Sequence, residues 1–346
     1  MKRYLSLALA LVMVLALSAC GSKSDTPSNG YDAESAKKVV LKYSELNSEQ
    51  TSQYRWDAKF KELVEEKTNG SVEIDIYANG QLSSQDPEAV TNGICDILMC
   101  VPSNWSDYYS EIAAVDAPYA ITSAEEGIKV FATPDSPVLA RANEALKDSN
   151  AIWLSAYYEG SREMTTTDTP IYTLADLKPL KMRVVNSDLY IQLFKAFGCE
   201  ATPMAWSEVA SGLITGVIDG QENPIPSIAS SKFYEVQKYM CLDGHTYGAE
   251  SILINLDYYN NLPAKIQTAI DEAAAYAGEQ QRAAVSANEA AQLQQIKDAG
   301  VIVCEDPDIT SFQEATAELY LRPEVQAIVS PELTEMVRSA AEAAAK

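Results

Sequence analysis

After Pro263 the chain runs to Ala299 without another proline and with one glycine, Gly278, through a stretch dense in Ala, Gln and Glu. Those are strong helix formers. At 1.5 Å per residue the run makes a helix roughly 50 Å long, more than a small domain is wide. Such a helix cannot be buried within one small body, so it is expected to brace two. The length of the chain, 346 residues, also suits two lobes better than one core.

Upstream the pattern is α/β. Val39–Ser44 reads as a buried strand, followed by a helix from Gln53 to Thr68 with Trp56, Phe60, Leu63 and Val64 on one face and Asn69-Gly70 as its stop. Val72–Tyr77 alternates apolar and polar as a second strand, and Asp96–Val101 is a third after a short helix around Pro87–Asn92. Helices at Ser123–Ala132 and Val138–Lys147 lead to a strand at Ala151–Tyr158, where Gly160 is expected to mark a change of lobe. A second α/β set follows: strand Lys181–Val185, helix Asp188–Phe197, helix Ser207–Ile218 and a late strand Ser251–Asn255. Strands alternating with helices predict a mostly parallel sheet.

The first residues address the compartment. Lys2 and Arg3 precede an apolar run too short for an ordinary spanning helix, which ends in Leu17-Ser18-Ala19-Cys20. Residues 1–19 therefore read as a signal peptide and Cys20 as an acylated anchor, the other reading being a plain signal with a chance cysteine. The polar residues that follow, to about 36, read as a flexible tether. The protein is thus expected outside the cytoplasm, lipid-anchored at the outer face of the cell membrane or in the periplasm.

Without Lys2 and Arg3 the chain carries 24 basic side chains against 49 acidic, a formal charge of −25. That surface repels phosphate backbones, which excludes nucleic acid as a natural partner, and an anionic ligand would need placed arginines in a cleft. Cys95, Cys100, Cys199, Cys241 and Cys304 have no paired CxxC spacing and read as small buried hydrophobes. With His245 the sole histidine, a zinc site or a Ser-His-Asp triad has little to draw on, and no cofactor, metal or catalytic group is expected.

From residue 175 the sequence is no longer generic. Asp176-Leu177-Lys178-Pro179-Leu180-Lys181-Met182-Arg183-Val184, Thr202-Pro203-Met204-Ala205-Trp206-Ser207-Glu208-Val209 and Thr215-Gly216-Val217-Ile218-Asp219-Gly220-Gln221-Glu222-Asn223-Pro224 occur in order, followed by Phe233–Tyr239 and Leu262-Pro263. With Phe60–Gly70 and Asn79-Gly80-Gln81-Leu82, they resemble the DctP-type solute receptors of TRAP transporters over most of the chain beyond Val39. The resemblance implies a periplasmic-binding-protein-like fold: two α/β lobes closing on a ligand, lobe I from residues 37–160 plus 249–287 and lobe II from 161–248 plus 288–346. It also implies a monomeric receptor that hands a small organic acid to small and large membrane subunits.

It further implies that Arg183 pairs with the ligand carboxylate, for which a planar, permanently charged guanidinium is suited. Arg162 matches a second arginine of the family, Asn223 an amide that orients the acid, Trp206 an aromatic wall and Asn186 a polar position beyond the arginine strand. Each has a structural alternative: Asn223 next to Pro224 suits a turn, and His245 suits a structural role better than a ligand role. Departures occur in the first lobe. Val101-Pro102-Ser103-Asn104-Trp105 lacks the acidic and basic residues of sialate-specific members, so Asn104 and Trp105 are expected to meet hydroxyls and a sugar face, as in a hexuronate. Glu45 and Asn47 stand where polar contacts are expected, with Asp86 and Glu88 as weaker candidates. A receptor of an ATP-driven importer or a sensor would share the fold, and a surface enzyme acting on organic acids is the more distant alternative.

Overall fold

The computed structural model describes residues 38–49, 51–105, 108–133 and 136–344. The expected signal peptide, the tether and Cys20 lie outside the described residues. Strand β1 (Val39–Ser44) pairs in parallel with β2 (Val72–Tyr77) and β3 (Ile97–Cys100). Helix α1 (Ser52–Lys67) starts where Thr51 Oγ1 accepts the Tyr54 N–H, and it lays Phe60 and Val64 against these strands.

The next strand departs from its expected length. β4 runs Ala151–Thr166 and its antiparallel partner β8 runs Tyr239–Asn255, in register from Ala151↔Asn255 to Thr166↔Tyr239. The sequence pattern predicts shorter pieces, Ala151–Tyr158 and Ser251–Asn255. The ladder survives past them because three register shifts absorb the residues that break the alternation, one of them between Tyr158 and Gly160. Gly160 sits there at φ +117°, inside the strand and not at its end.

The remaining strands are β5 (Lys181–Val184), β6 (Glu200–Pro203), β7 (Gly220–Pro224) and β9 (Ile302–Cys304). They complete one sheet in the order β2-β1-β3-β8-β4-β7-β5-β6, with β9 on β8. The expectation of a mostly parallel sheet needs correcting. The two outer wings are parallel, but β8 runs antiparallel to β3 and β4, and β4 antiparallel to β7. The chain from Lys38 onward holds together as one compact unit on this continuous sheet.

Helix α2 (Trp206–Thr215) ends on Gly216, whose φ of +70° supplies the left-handed cap, three residues earlier than the apolar pattern predicts. Helix α3 (Ala264–Asp298) is the long helix, 35 residues. Its first half packs Ile266, Ile270, Ala273, Ala274 and Ala277 into the core of β1, β2 and α1, and its last turns place Ile296 in the apolar cluster that also holds Ile225, Ile228 and, from α2, Val209 and Leu213. Between them Gln281 clamps β4 through both the N–H and the C=O of Tyr158, at 2.9 and 2.8 Å. A Cβ on Gly278 would lie 2.4 Å from Ser155 Oγ, so the one glycine in the run lets the helix lie directly on the strand. No helix among the described residues is long and apolar enough to cross a membrane.

Candidate functional site

In an open α/β sheet, ligands gather at the carboxyl ends of the parallel strands. Here those ends converge. Leu46 and Asn47 follow β1, Val101 follows β3, Val185 follows β5, and Asn223 closes β7; all five line one chamber of about 50 Å³. The chamber adjoins a wider cleft of about 310 Å³, with Leu46, Gln85, Arg183, Val185 and Trp206 on the walls of both. A larger groove of about 640 Å³ elsewhere carries Glu163, Asp243 and Glu289 and no cationic side chain, so it offers an anion no partner.

Arg183 is placed by strand alternation. Met182 and Val184 point into the core while Arg183, also buried, points the other way into the chamber. Its Nε and Nη2 donate to the Met204 carbonyl at 3.1 and 2.8 Å, and its guanidinium lies over the Trp206 ring, 5.9 Å from the centroid. Nη1 has no partner. Burial, with Arg162 nearby, lowers the Arg183 pKa to about 10 against the support of Glu222, and the group stays charged at neutral pH.

Arg162 lines the same chamber but is already committed. Glu222 accepts from its Nε and Nη2 at 2.6 and 3.0 Å, Glu159 from Nη1 at 3.2 Å, and Asn223 Oδ1 from Nη2 at 3.1 Å. Burial would push the Glu222 pKa up, but the Arg162 charge and the bond from His245 hold it at about 2. His245 is fully buried, bonds Asp243 Oδ2 at 2.7 Å and Glu222 Oε2 at 3.2 Å, and stays outside the chamber. Burial opposes its charge, yet Asp243 and Glu222 raise its pKa to about 9. His245 thus positions Glu222, which positions Arg162. Asn223 is held from both ends, its amide N–H₂ donating to Gln221 Oε1.

The first-lobe candidates divide. Asn47 lines the chamber with its amide nitrogen unpartnered. Asn104 and Asn186 line the outer cleft, Asn104 Nδ2 donating to the Gln85 carbonyl at 3.2 Å. Glu45 is not on the wall: fully buried, it accepts the Asn47 backbone N–H at 2.6 Å and fixes that loop from behind. Trp105 does not offer a sugar face either. It is wholly buried with Nε1 on Cys100 Sγ at 3.2 Å, because the short helical turn Pro102–Trp105 rotates it into the core. Asp86 and Glu88 stay in the preceding turn, while Gln85 reaches both walls.

Sequence reasoning missed Glu159 and Glu250, both buried on the chamber wall. They come from the bulged strands β4 and β8, and nothing in their spacing marks them as neighbours. Among the described residues no cluster of His, Cys, Asp or Glu is arranged to hold a metal ion.

The family model for "Bacterial extracellular solute-binding protein, family 7" (DctP) matches residues 43–326. The chain belongs to that family. A solute-binding protein of Chromohalobacter salexigens is 35% identical over 279 residues, 78% of this chain and 82% of that one. The 2,3-diketo-L-gulonate-binding periplasmic protein YiaO of Escherichia coli is 31% identical, over 80% of this chain and 84% of its own. Among solved structures, a TRAP periplasmic solute-binding protein from Roseobacter denitrificans with bound β-D-glucuronate superimposes with a TM-score of 0.81 at 28% identity, covering 87% of this chain and 99% of that one. DctP-family proteins are extracytoplasmic solute-binding receptors, and the two-lobed α/β fold expected from the sequence is the fold of these relatives.

Proposed function

We propose that this DctP-family receptor binds a hydroxylated monocarboxylate, a sugar acid such as a hexuronate, and delivers it to TRAP membrane subunits. The observation that carries the reading is Arg183: a buried guanidinium, nearly all of it withdrawn from water, with Nη1 unsatisfied and facing the chamber. An unpaired buried cation is costly, and a ligand carboxylate removes that cost in the bound state. The amides of Asn47, Asn104 and Asn186 around it suit hydroxyls. Relatives named for 2,3-diketo-L-gulonate and seen with β-D-glucuronate support the class.

On this reading Cys20 carries the lipid anchor, the tether spaces a monomeric receptor from the membrane, and the two lobes (37–160 plus 249–287, and 161–248 plus 288–346) close over the acid. A thermal-shift screen of sugar acids and their neutral sugars tests it. Acids should raise the melting temperature and neutral hexoses should not; equal shifts from both would overturn the carboxylate assignment.

A further inference from the structure

The chamber wall carries two opposite chemistries. Arg183 supplies an unsatisfied donor. Two carboxyls share that wall, Glu159 on β4 and Glu250 on β8, 8% and 4% exposed. Glu159 is partly engaged, accepting from Arg162 Nη1 at 3.2 Å. Glu250 Oε2 is buried with no hydrogen-bond partner.

We infer that Glu159 and Glu250 form a second recognition element of the chamber, one that accepts hydrogen bonds from ligand hydroxyls and refuses a second carboxylate. This rests on the carboxylate reading of Arg183 and goes beyond it, because Arg183 alone would accept a dicarboxylate as readily as a hydroxy acid. The local charges support the refusal. Among the described residues Arg162 is the only cation bonded to the pair, and Glu222 already holds it with two bonds. Burial raises the pKa of both carboxyls, and the hydrogen bond between them raises Glu250 further while lowering Glu159, so Glu250 keeps the proton and donates it to Glu159. The proton the pair retains is thus engaged between its own members. A ligand hydroxyl brings the donor that Oε2 lacks; a ligand carboxylate brings acceptors and a charge against acceptors, with no free cation to meet them. Rejection then comes from repulsion and not from size.

The test pairs hydroxy monocarboxylates with dicarboxylates of equal chain length: glycerate with tartronate, erythronate with tartrate, galactonate with galactarate. Calorimetry on the wild-type protein should show every monocarboxylate that binds exceeding its dicarboxylate by about tenfold or more. Glu250→Gln keeps the Glu159–Arg162 bond but offers an amide N–H, and it should cut that preference to about threefold or less, mainly by tightening the dicarboxylate. Glu159→Gln/Glu250→Gln should do the same, with melting curves confirming that each variant is folded. A dicarboxylate that binds wild type as tightly as its partner, through an interaction lost in Arg183→Ala, would overturn the inference and leave the carboxylate site standing. An unchanged preference in folded Glu250→Gln would overturn it too. If no acid of either series binds and Arg183→Ala changes nothing, the Arg183 reading falls and takes the inference with it.

Discussion

Arg183 and Arg162 stand in the same chamber, and their hydrogen bonds give them different work. Arg183 has a free Nη1, whereas every nitrogen of Arg162 is on Glu222, Glu159 or Asn223. Arg183→Lys keeps charge but loses the planar fork, so affinity for a sugar acid is expected to fall at least about tenfold, or about 1.4 kcal/mol, with the melting temperature little changed. Arg162→Ala is expected to act on folding, because it strips the buried Glu222 carboxylate of two hydrogen bonds and leaves His245 alone to balance its charge: about 3–5 kcal/mol by denaturant unfolding. Equal and small stability effects in both variants would refute this division. The motif around residues 181–184 and 221–224 makes both arginines legible as candidates, but only the tertiary pairing with Glu222 shows which of them is free. Glu159 and Glu250 were not legible at all, because 91 positions separate them and strand bulges, not motif spacing, bring them together.

His245 carries the pH dependence that can be isolated at this scale. Its folded pKa, about 9, lies above the ordinary histidine value of 6.5 because Asp243 and Glu222 outweigh the burial that opposes its charge. Its proton therefore stabilises the fold fully below pH 6.5, and that contribution is lost as pH rises toward 9. The integrated effect is on the order of 3 kcal/mol. Asp57 and Glu163, raised chiefly by burial to about 8, and Asp116, raised to about 7, act with the same sign: each favours the folded state while protonated, an advantage lost as pH rises. The wild-type melting temperature should fall between pH 6.5 and 9, and the fall should be shallower in His245→Gln. An identical slope in the variant would remove His245 as a contributor.

Elements were most legible where one face is buried and the other wet. β1 and β2 have the bounds their alternation predicts, and the long helix α3 differs from its run by only a residue at each end. The apolar pattern marks only half of β4 and less than a third of β8, because Glu159, Arg162, Asp243 and His245 are buried polar groups that interrupt it. Gly278 is the one glycine in α3, and contact geometry gives it a reason. Substituting Ala would gain about 1 kcal/mol of helix propensity. The new Cβ, however, would sit 2.4 Å from Ser155 Oγ and 3.2 Å from the Ala156 carbonyl. Gly278→Ala is therefore expected to lower the melting temperature, and Ser155→Ala in the same chain should restore part of the loss. A more stable Gly278→Ala would mean that the helix stands off the strand.

At the scale of the whole molecule, chamber size limits how binding can occur. About 50 Å³ holds no more than a few waters, yet the walls bring residues from both ends of the sheet order within reach of one ligand. A six-carbon acid spanning Arg183 and Glu250 must part those walls to enter and can be enclosed only when they return. The two-lobe organisation was legible from chain length, from the long helix and from the motif order. The single continuous sheet was not, since its antiparallel centre is made by strands whose polar residues hid them. On the proposed closure, the hinge is expected where β4 and β8 cross between the wings, near their register shifts. The ligand shifts the open–closed population only by its preference for the closed form, and on the proposed reading Arg183 is expected to supply most of it. Small-angle scattering should show the radius of gyration falling when a bound sugar acid is added, and the fall should be largely absent in Arg183→Ala at the same ligand concentration. Tight binding with no compaction would instead establish a rigid receptor that admits its ligand through the outer cleft by side-chain motion alone.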